Sequence, residues 1–343
     1  MRMQRLSVSL FVLDYFIKRK SNIMAEDYFP DIPIPPPKNR GYLQPFILPP
    51  RRQHTHTVIL LHGRGGNGRD FGVELITTKL LSCDTLPQRF PSTKFIFPTA
   101  KLRRSTQFKR IPIAQWFDLT NLGTENERRD IQHEGLRESA QFVHRIIEEE
   151  AALVGIGNVV VGGLSQGAAQ ALHILMSYDD GGKGGLGGYV GMSGWLPFQK
   201  EMAELVNEYS RDANGDRLDD PFERNGEDGP AHLLNLSGDS RSDLGARAVN
   251  FSRECVLDID PLPPRDTAPG CLSTPIWLAH GALDEKVRPR LGELAAQTME
   301  KLGWDVTWML YDDLEHWFAP YELDDMAIFL SARVGIPEDR LGA

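Results

Sequence analysis

The chain has 343 residues, 41% hydrophobic and 25% charged, which are the proportions of a globular protein with enough length for one large α/β domain or two small ones. Its net charge of −9 lacks the basic field that phosphate contacts need, so nucleic acid is not an expected partner, and no apolar run reaches the length of a membrane-spanning helix. Cys83, Cys255 and Cys271 are odd in number and show no CxxC spacing, which suits a reducing compartment and supports neither a disulfide framework nor a zinc site.

Arg2 and Arg5 precede an apolar stretch from Leu6 to Ile17, but Asp14 interrupts it, Lys18-Arg19-Lys20 follow, and no small-x-small cleavage site is evident. Met24, heading Met-Ala-Glu-Asp-Tyr-Phe-Pro, offers an alternative start. Residues 1–23 are therefore read as an extension that is not translated, with a mitochondrial presequence as the competing reading. Residues 30–50 hold eight of the 23 prolines, so residues 1–54 are expected to be an extended, disordered leader and residues 55–335 the folded domain.

The first expected strand is His56–Leu61, followed by the glycine-rich loop His62-Gly63-Arg64-Gly65-Gly66-Asn67-Gly68. A second strand, Lys94–Phe97, is stopped by Pro98. From about Asn126 to Leu153, Ile131, Leu136, Ala140, Val143, Ile146 and Ile147 recur at helical spacing. Next come Val159-Val160-Val161-Gly162-Gly163-Leu164-Ser165-Gln166-Gly167 and an Ala-rich helix, then strands near 188–192, 275–279 and 306–311 and a last helix near 321–330. Strands alternating with helices predict an α/β fold: a mostly parallel, doubly wound sheet covered on both faces. Residues 200–273 break this rhythm. Beyond a short helix at Glu201–Tyr209 they are polar and acidic, and they are expected to be a flexible insertion or a lid.

Gly-x-Ser-x-Gly between a β-branched strand and a helix is the pattern of a nucleophile elbow, which lifts a serine hydroxyl above the sheet edge. A side chain at Gly163 or Gly167 would strike the neighbouring backbone in so tight a turn. Serine becomes nucleophilic only when an imidazole takes its proton and a carboxylate orients that imidazole. With strand order Ser, acid, His, the acid is Asp284, just past the strand ending Ala279-His280-Gly281; Asp312 and Asp313 are rivals that look like turn residues. The base is His316, on the loop after the last strand. His62 and His280, also at strand ends, are expected to hydrogen-bond loop backbone. The backbone N–H of Gln166 would be one oxyanion donor, and the loop 62–66 should supply the other. Read as a phosphate cradle, that loop lacks the Gly-Lys-Ser/Thr ending of a P-loop.

With these positions in place, the chain resembles the acyl-protein thioesterase, lysophospholipase and carboxylesterase family of α/β-hydrolases. The motifs are Leu61-His62-Gly63-x-Gly65, Gln115-Trp116-Phe117-Asp118, Gly162 to Gly167, Ser193-Gly194-Trp195-Leu196-Pro197, His280-Gly281-x-x-Asp284 and the late His316. The resemblance implies an α/β-hydrolase fold and hydrolysis of carboxylic esters or thioesters through an acyl-serine, without metal or cofactor. It also implies Arg64 as the second oxyanion donor, substrate contacts from Trp116, Trp195 and Leu196, a small-molecule ester or S-acylated protein as substrate, a cytoplasmic location and a homodimer. Asp118 is expected to brace its own loop. Alternatives are a lysophospholipase, a receptor that binds acyl compounds without turnover, and a scaffold tethered to a membrane by residues 6–17. Arg64 departs from the family, whose depalmitoylating members commonly carry leucine there, and Gly66 replaces an acidic residue. The guanidinium is expected either beside the acyl path, favouring short or anionic substrates, or turned to solvent.

Overall fold

The central sheet is built from runs that are apolar on both sides, so it must be covered on both faces. A computed structural model describes residues 41–121, 128–179, 181–213, 238–263 and 267–339, all in one compact unit. The readings of residues 1–40, including the alternative start at Met24, lie outside the described residues. The strands are β1 (Phe46–Leu48), β2 (His56–Leu61), β3 (Thr93–Phe97), β4 (Leu102–Ser105), β5 (Ile111–Ala114), β6 (Val159–Leu164), β7 (Gly188–Met192), β8 (Ile276–Gly281) and β9 (Val306–Tyr311). Seven of them form one sheet in the order β1-β3-β2-β6-β7-β8-β9, with β1 antiparallel and the rest parallel, while β4 and β5 form a separate antiparallel hairpin. This is the expected α/β-hydrolase architecture.

Besides a one-turn helix at Leu86–Arg89, the helices are α1 (Gly68–Thr77), α2 (His133–Val154), α3 (Gln166–Ser177), α4 (Gln199–Ala213), α5 (Gly238–Phe251), α6 (Pro289–Lys301) and α7 (Pro320–Phe329). Alternate strand residues Ile59, Leu61, Val159, Val161, Tyr189, Ile276 and Leu278 share one core with Leu136, Val143 and Ile147 of α2, Leu172 and Leu175 of α3, and Ala295 and Met299 of α6. The intervening residues Val58, Leu60, Val160, Val190 and Trp277 are equally buried, so both faces are closed. None of the helices described is long and apolar enough to cross a membrane.

Two boundary readings are corrected. Residues 46–48 are a strand, not leader: Phe46, Ile47 and Leu48 pair with Phe97, Ile96 and Phe95, which an edge strand permits despite Pro45 and Pro49 beside it. The second concerns residues 200–273, whose described flanks are ordered against the core. Met202 and Val206 of α4, Leu244, Ala248 and Val249 of α5, and Val256, Leu257 and Cys271 beyond it are buried in the main cluster. A loop that supplies core residues is part of the domain. Residues 214–237 and 264–266 lie outside the described residues.

Candidate active site

Parallel strands bring the loops that follow them to one edge of the sheet, and Ser165, Asp284 and His316 each follow the carboxyl end of one strand, β6, β8 and β9. Ser165 sits at φ 57° and ψ −122°, a strained conformation for a non-glycine residue. Its N–H is held by the carbonyl of Met192 at 2.8 Å. The register places Leu61 opposite Gly163, and a Cβ on Gly163 or Gly167 would lie 2.4 or 2.2 Å from the Leu61 carbonyl oxygen. Only glycine lets the strand turn back into α3 here.

The structure brings the three expected residues into one chain of hydrogen bonds. Ser165 Oγ lies 3.0 Å from His316 Nε2, and His316 Nδ1 lies 2.6 Å from Asp284 Oδ2. The Asp284 side chain is fully buried, while those of Ser165 and His316 keep a sliver of accessible surface. Burial alone would raise the Asp284 carboxyl, but hydrogen bonds from His280 and His316, the charge His316 carries when protonated and the Val287 backbone N–H together hold it well below the usual carboxylate range. Facing an ionised carboxylate, Nδ1 of His316 carries the proton and Nε2 presents its lone pair to the Ser165 hydroxyl. That polarity is what removal of the serine proton requires.

Second contacts fix each member. Oδ1 of Asp284 accepts the backbone N–H groups of Lys286 and Val287, both at 2.9 Å. His280 Nε2 lies 2.8 Å from the Val287 carbonyl and 3.2 Å from Asp284 Oδ2, two acceptors, so this nitrogen is the donor. The loop carrying His316 is tied to α1, because Trp317 Nε1 donates to Glu74 Oε1 at 2.8 Å and Phe318 packs edge-on against Phe71. Sequence reasoning placed His280 on loop backbone but missed its contact with Asp284, four residues on. It also missed Glu74, whose helix α1 carries the periodic apolar set Phe71, Leu75 and Ile76.

Gly63 begins the loop after β2, and a Cβ there would stand 3.5 Å from Ser165 Cβ, so this loop lies directly beside the hydroxyl. Its buried His62 donates from Nδ1 to the Gly63 carbonyl at 2.7 Å and accepts the Ala100 N–H on Nε2 at 3.0 Å. Burial lowers its pKa to about 4, so it braces the loop as a neutral ring. The N–H of Gly65 goes to Ala114 and that of Gly66 to Gly63, whereas the N–H groups of Arg64 and Gln166 meet no acceptor among the described residues. Two unspent donors beside a serine hydroxyl are suited to an oxygen that becomes negative.

Other expectations are redirected. Trp116 is fully buried and donates its indole N–H to the His62 carbonyl at 2.8 Å. It has no surface to offer a substrate, and the contact expected of it is replaced by support of the loop. Trp195 and Leu196, 5% and 2% exposed, pack in the core, with Trp195 edge-on to Phe117. Arg64 follows neither expected course: its guanidinium is held by Gln115 Oε1 at 3.0 Å, Ser105 Oγ at 2.6 Å and Gln107, and it lies over the Phe108 ring. Asp118 accepts from the Thr106 N–H and hydroxyl and from Leu119, bracing the hairpin and its own loop.

A sequence profile described as phospholipase/carboxylesterase matches residues 43–214. Acyl-protein thioesterase 1 of Gibberella zeae is 26% identical over 293 residues, covering 84% of this chain and 95% of its own. The protein of the same name from Aspergillus fumigatus is 26% identical over 307 residues, covering 86% and 94%. Among solved structures, acyl-protein thioesterase 2 of Zea mays superposes with a TM-score of 0.55 at 24% identity, covering 85% of this chain and 99% of that one, a likeness of fold.

Proposed function

The chain belongs to the phospholipase/carboxylesterase family, and from that membership and the geometry of its site we propose that it hydrolyses carboxylic esters or thioesters through an acyl-serine intermediate. The observation that carries the reading is the unbroken hydrogen-bonded chain Ser165–His316–Asp284. As Ser165 Oγ attacks the acyl carbon, its proton passes to His316 Nε2, and Asp284 steadies the imidazolium that results. The carbonyl oxygen, now an anion, accepts from the N–H groups of Arg64 and Gln166. Collapse of the tetrahedral species breaks the bond to the leaving alkoxide or thiolate, which takes the proton from Nε2. Water then attacks the acyl-serine, giving its proton to Nε2, and the carboxylic acid leaves as Ser165 is reprotonated.

The names of the relatives direct the substrate proposal toward S-acylated proteins, and three cysteines without CxxC spacing favour a reducing, cytoplasmic site of action. A receptor without turnover would be expected to lack one member of the triad, and none is lacking here. The test is hydrolysis of a panel: short p-nitrophenyl esters, a lysophospholipid and a palmitoyl-thioester peptide. The account expects turnover of esters and thioesters that disappears in Ser165→Ala. Turnover that survives this substitution would refute the nucleophile.

A further inference from the structure

Both residues whose backbone N–H groups are proposed to receive the oxyanion anchor their side chains on one segment, residues 115–118. Gln166 Oε1 accepts the Trp116 N–H at 3.0 Å, and its Nε2 donates to the Phe117 carbonyl at 2.7 Å. Arg64 Nε donates to Gln115 Oε1. The Gln115 amide is itself oriented, since its Nε2 donates to Asp118 Oδ1 at 3.2 Å and so leaves its oxygen facing Arg64. Trp116 closes the arrangement through the His62 carbonyl. One stretch of chain thus spans the site behind both donors.

The two donors differ in how firmly their backbones are held. Gln166 is the first residue of a 12-residue helix, which fixes its N–H direction. Arg64 lies in Gly63-Arg64-Gly65-Gly66, where glycine gives the backbone wide freedom and Gly65 already sits at φ 81°. The main chain holds this loop by the Gly65 N–H to Ala114 at 2.7 Å and the Gly66 N–H to Gly63 at 3.1 Å. From the side chains, the His62 ring holds the Gly63 carbonyl at 2.7 Å, and Arg64 itself reaches three acceptors on β4, the hairpin turn and Gln115, and stacks on Phe108.

We propose that the Arg64 guanidinium is a positioning clasp that pins the glycine-rich loop to the β4–β5 hairpin and residue 115, and so aims the backbone N–H of Arg64 at the oxyanion. This rests on the reading of Ser165 as nucleophile. The chemistry suits arginine alone. Its acceptors are neutral oxygens set apart from one another, and a planar fork of five N–H donors can engage all three at once, whereas a lysine ammonium is a single point on a flexible stem. Among the described residues this guanidinium forms no ion pair; Asp118 attracts it only through space, and its direct partners are neutral oxygens.

The test uses the full chain with Arg64→Met, which keeps most of the aliphatic volume and removes every donor, alongside Arg64→Lys. Kinetics on a short acyl ester and inhibition by a boronic acid, whose tetrahedral adduct places an oxygen where the oxyanion forms, are read together. Losing one oxyanion donor outright costs about 10²–10³ in kcat, so a donor that is present but misaimed should cost roughly 10- to 100-fold. The clasp predicts that loss in kcat with KM within about twofold, a matching rise in the boronate Ki, and no rescue by lysine. Should Arg64→Met not fold, Ser105→Ala removes one acceptor and must show a smaller shift of the same kind. Unchanged kcat and Ki in a folded variant, or a change confined to KM, overturns the clasp. Those results leave the serine reading intact, because Ser165→Ala tests it separately.

Discussion

Asp284→Asn turns the buried geometry behind His316 into a number. Oδ1 of Asp284 accepts two backbone N–H groups, from Lys286 and Val287. In the variant the amide oxygen must take that place, because the reverse orientation would press an NH2 group against two donors and leave both unsatisfied. At about 1–3 kcal/mol for each unsatisfied buried donor, the amide is held one way by roughly 2–6 kcal/mol. Its NH2 therefore faces His316 Nδ1, where the carboxylate oxygen stood at 2.6 Å. An imidazole nitrogen facing a donor must be the unprotonated one, so the proton moves to Nε2 and confronts the Ser165 hydroxyl. The ring can then no longer accept the serine proton. A tautomer reversal of this kind costs on the order of 10⁴ in kcat, about 5.4 kcal/mol of barrier. KM should stay close to wild type, since the side chain is fully buried. The assay is steady-state hydrolysis of a short ester by variant and wild type, with circular dichroism to confirm folding. A kcat within about tenfold of wild type refutes the reasoning, and doubly so if Asp313→Asn, whose parent carboxylate accepts the Tyr321 hydroxyl, proves crippling instead.

The remaining expectations follow from the same geometry. Ser165→Ala and His316→Ala should each remove on the order of 10⁴-fold or more of turnover, with little further loss in the double variant, because the two act as a unit; losses that multiply would contradict this. Leu244→Ala, in the stretch that composition reads as flexible, should cost about 2–5 kcal/mol in denaturant unfolding, and a loss below about 0.5 kcal/mol would return that residue to the surface. Asp284, with its carboxyl depressed in the folded state, contributes stability above its ordinary value of 3.8 that fades as pH falls through the folded value. The acid limb of a melting-temperature profile should therefore be shallower in Asp284→Asn, and parallel limbs would contradict the assignment. Glu322 behaves in the opposite sense: burial pushes its carboxyl up to about 8, partly opposed by the Ala319 N–H, and Oε1 meets no hydrogen-bond partner among the described residues. The folded state holds the extra proton between pH 4.5 and about 8, so stability declines as pH rises through that window, and Glu322→Gln should remove that share of the decline.

What could be read from the sequence was whatever backbone geometry forces onto residue type. The elbow is legible because Gly163 and Gly167 abut the Leu61 carbonyl, and the strands are legible because a sheet buried on both faces needs unbroken apolar runs. His316 and Asp284 follow from strand order once Ser165 is placed. The β4–β5 hairpin left no such trace. It turns on Lys109 and Arg110 at positive φ instead of glycine, and Leu102 and Ile111 stand exposed on it, so neither turn chemistry nor a buried face marks it. The direction taken by Arg64 was hidden with it, because its partners on that hairpin are far away in sequence. In α5 the buried Leu244, Ala248 and Val249 do recur at helical spacing, but the acidic, proline-rich composition around them masked the pattern. Trp116 was misread for another reason: a large aromatic beside a site looks like a substrate contact until its burial and the partner of its indole N–H are seen.

The central claim is that Ser165 becomes acylated, and peptide mass spectrometry of the protein mixed with a slowly turning-over acyl ester and quenched in acid tests it most directly. The account predicts an acyl mass increment on the peptide containing Ser165, formed in wild type within one turnover and absent in His316→Ala. An increment on another residue, steady turnover with no covalent species detectable on Ser165, or equal labelling in His316→Ala would contradict it.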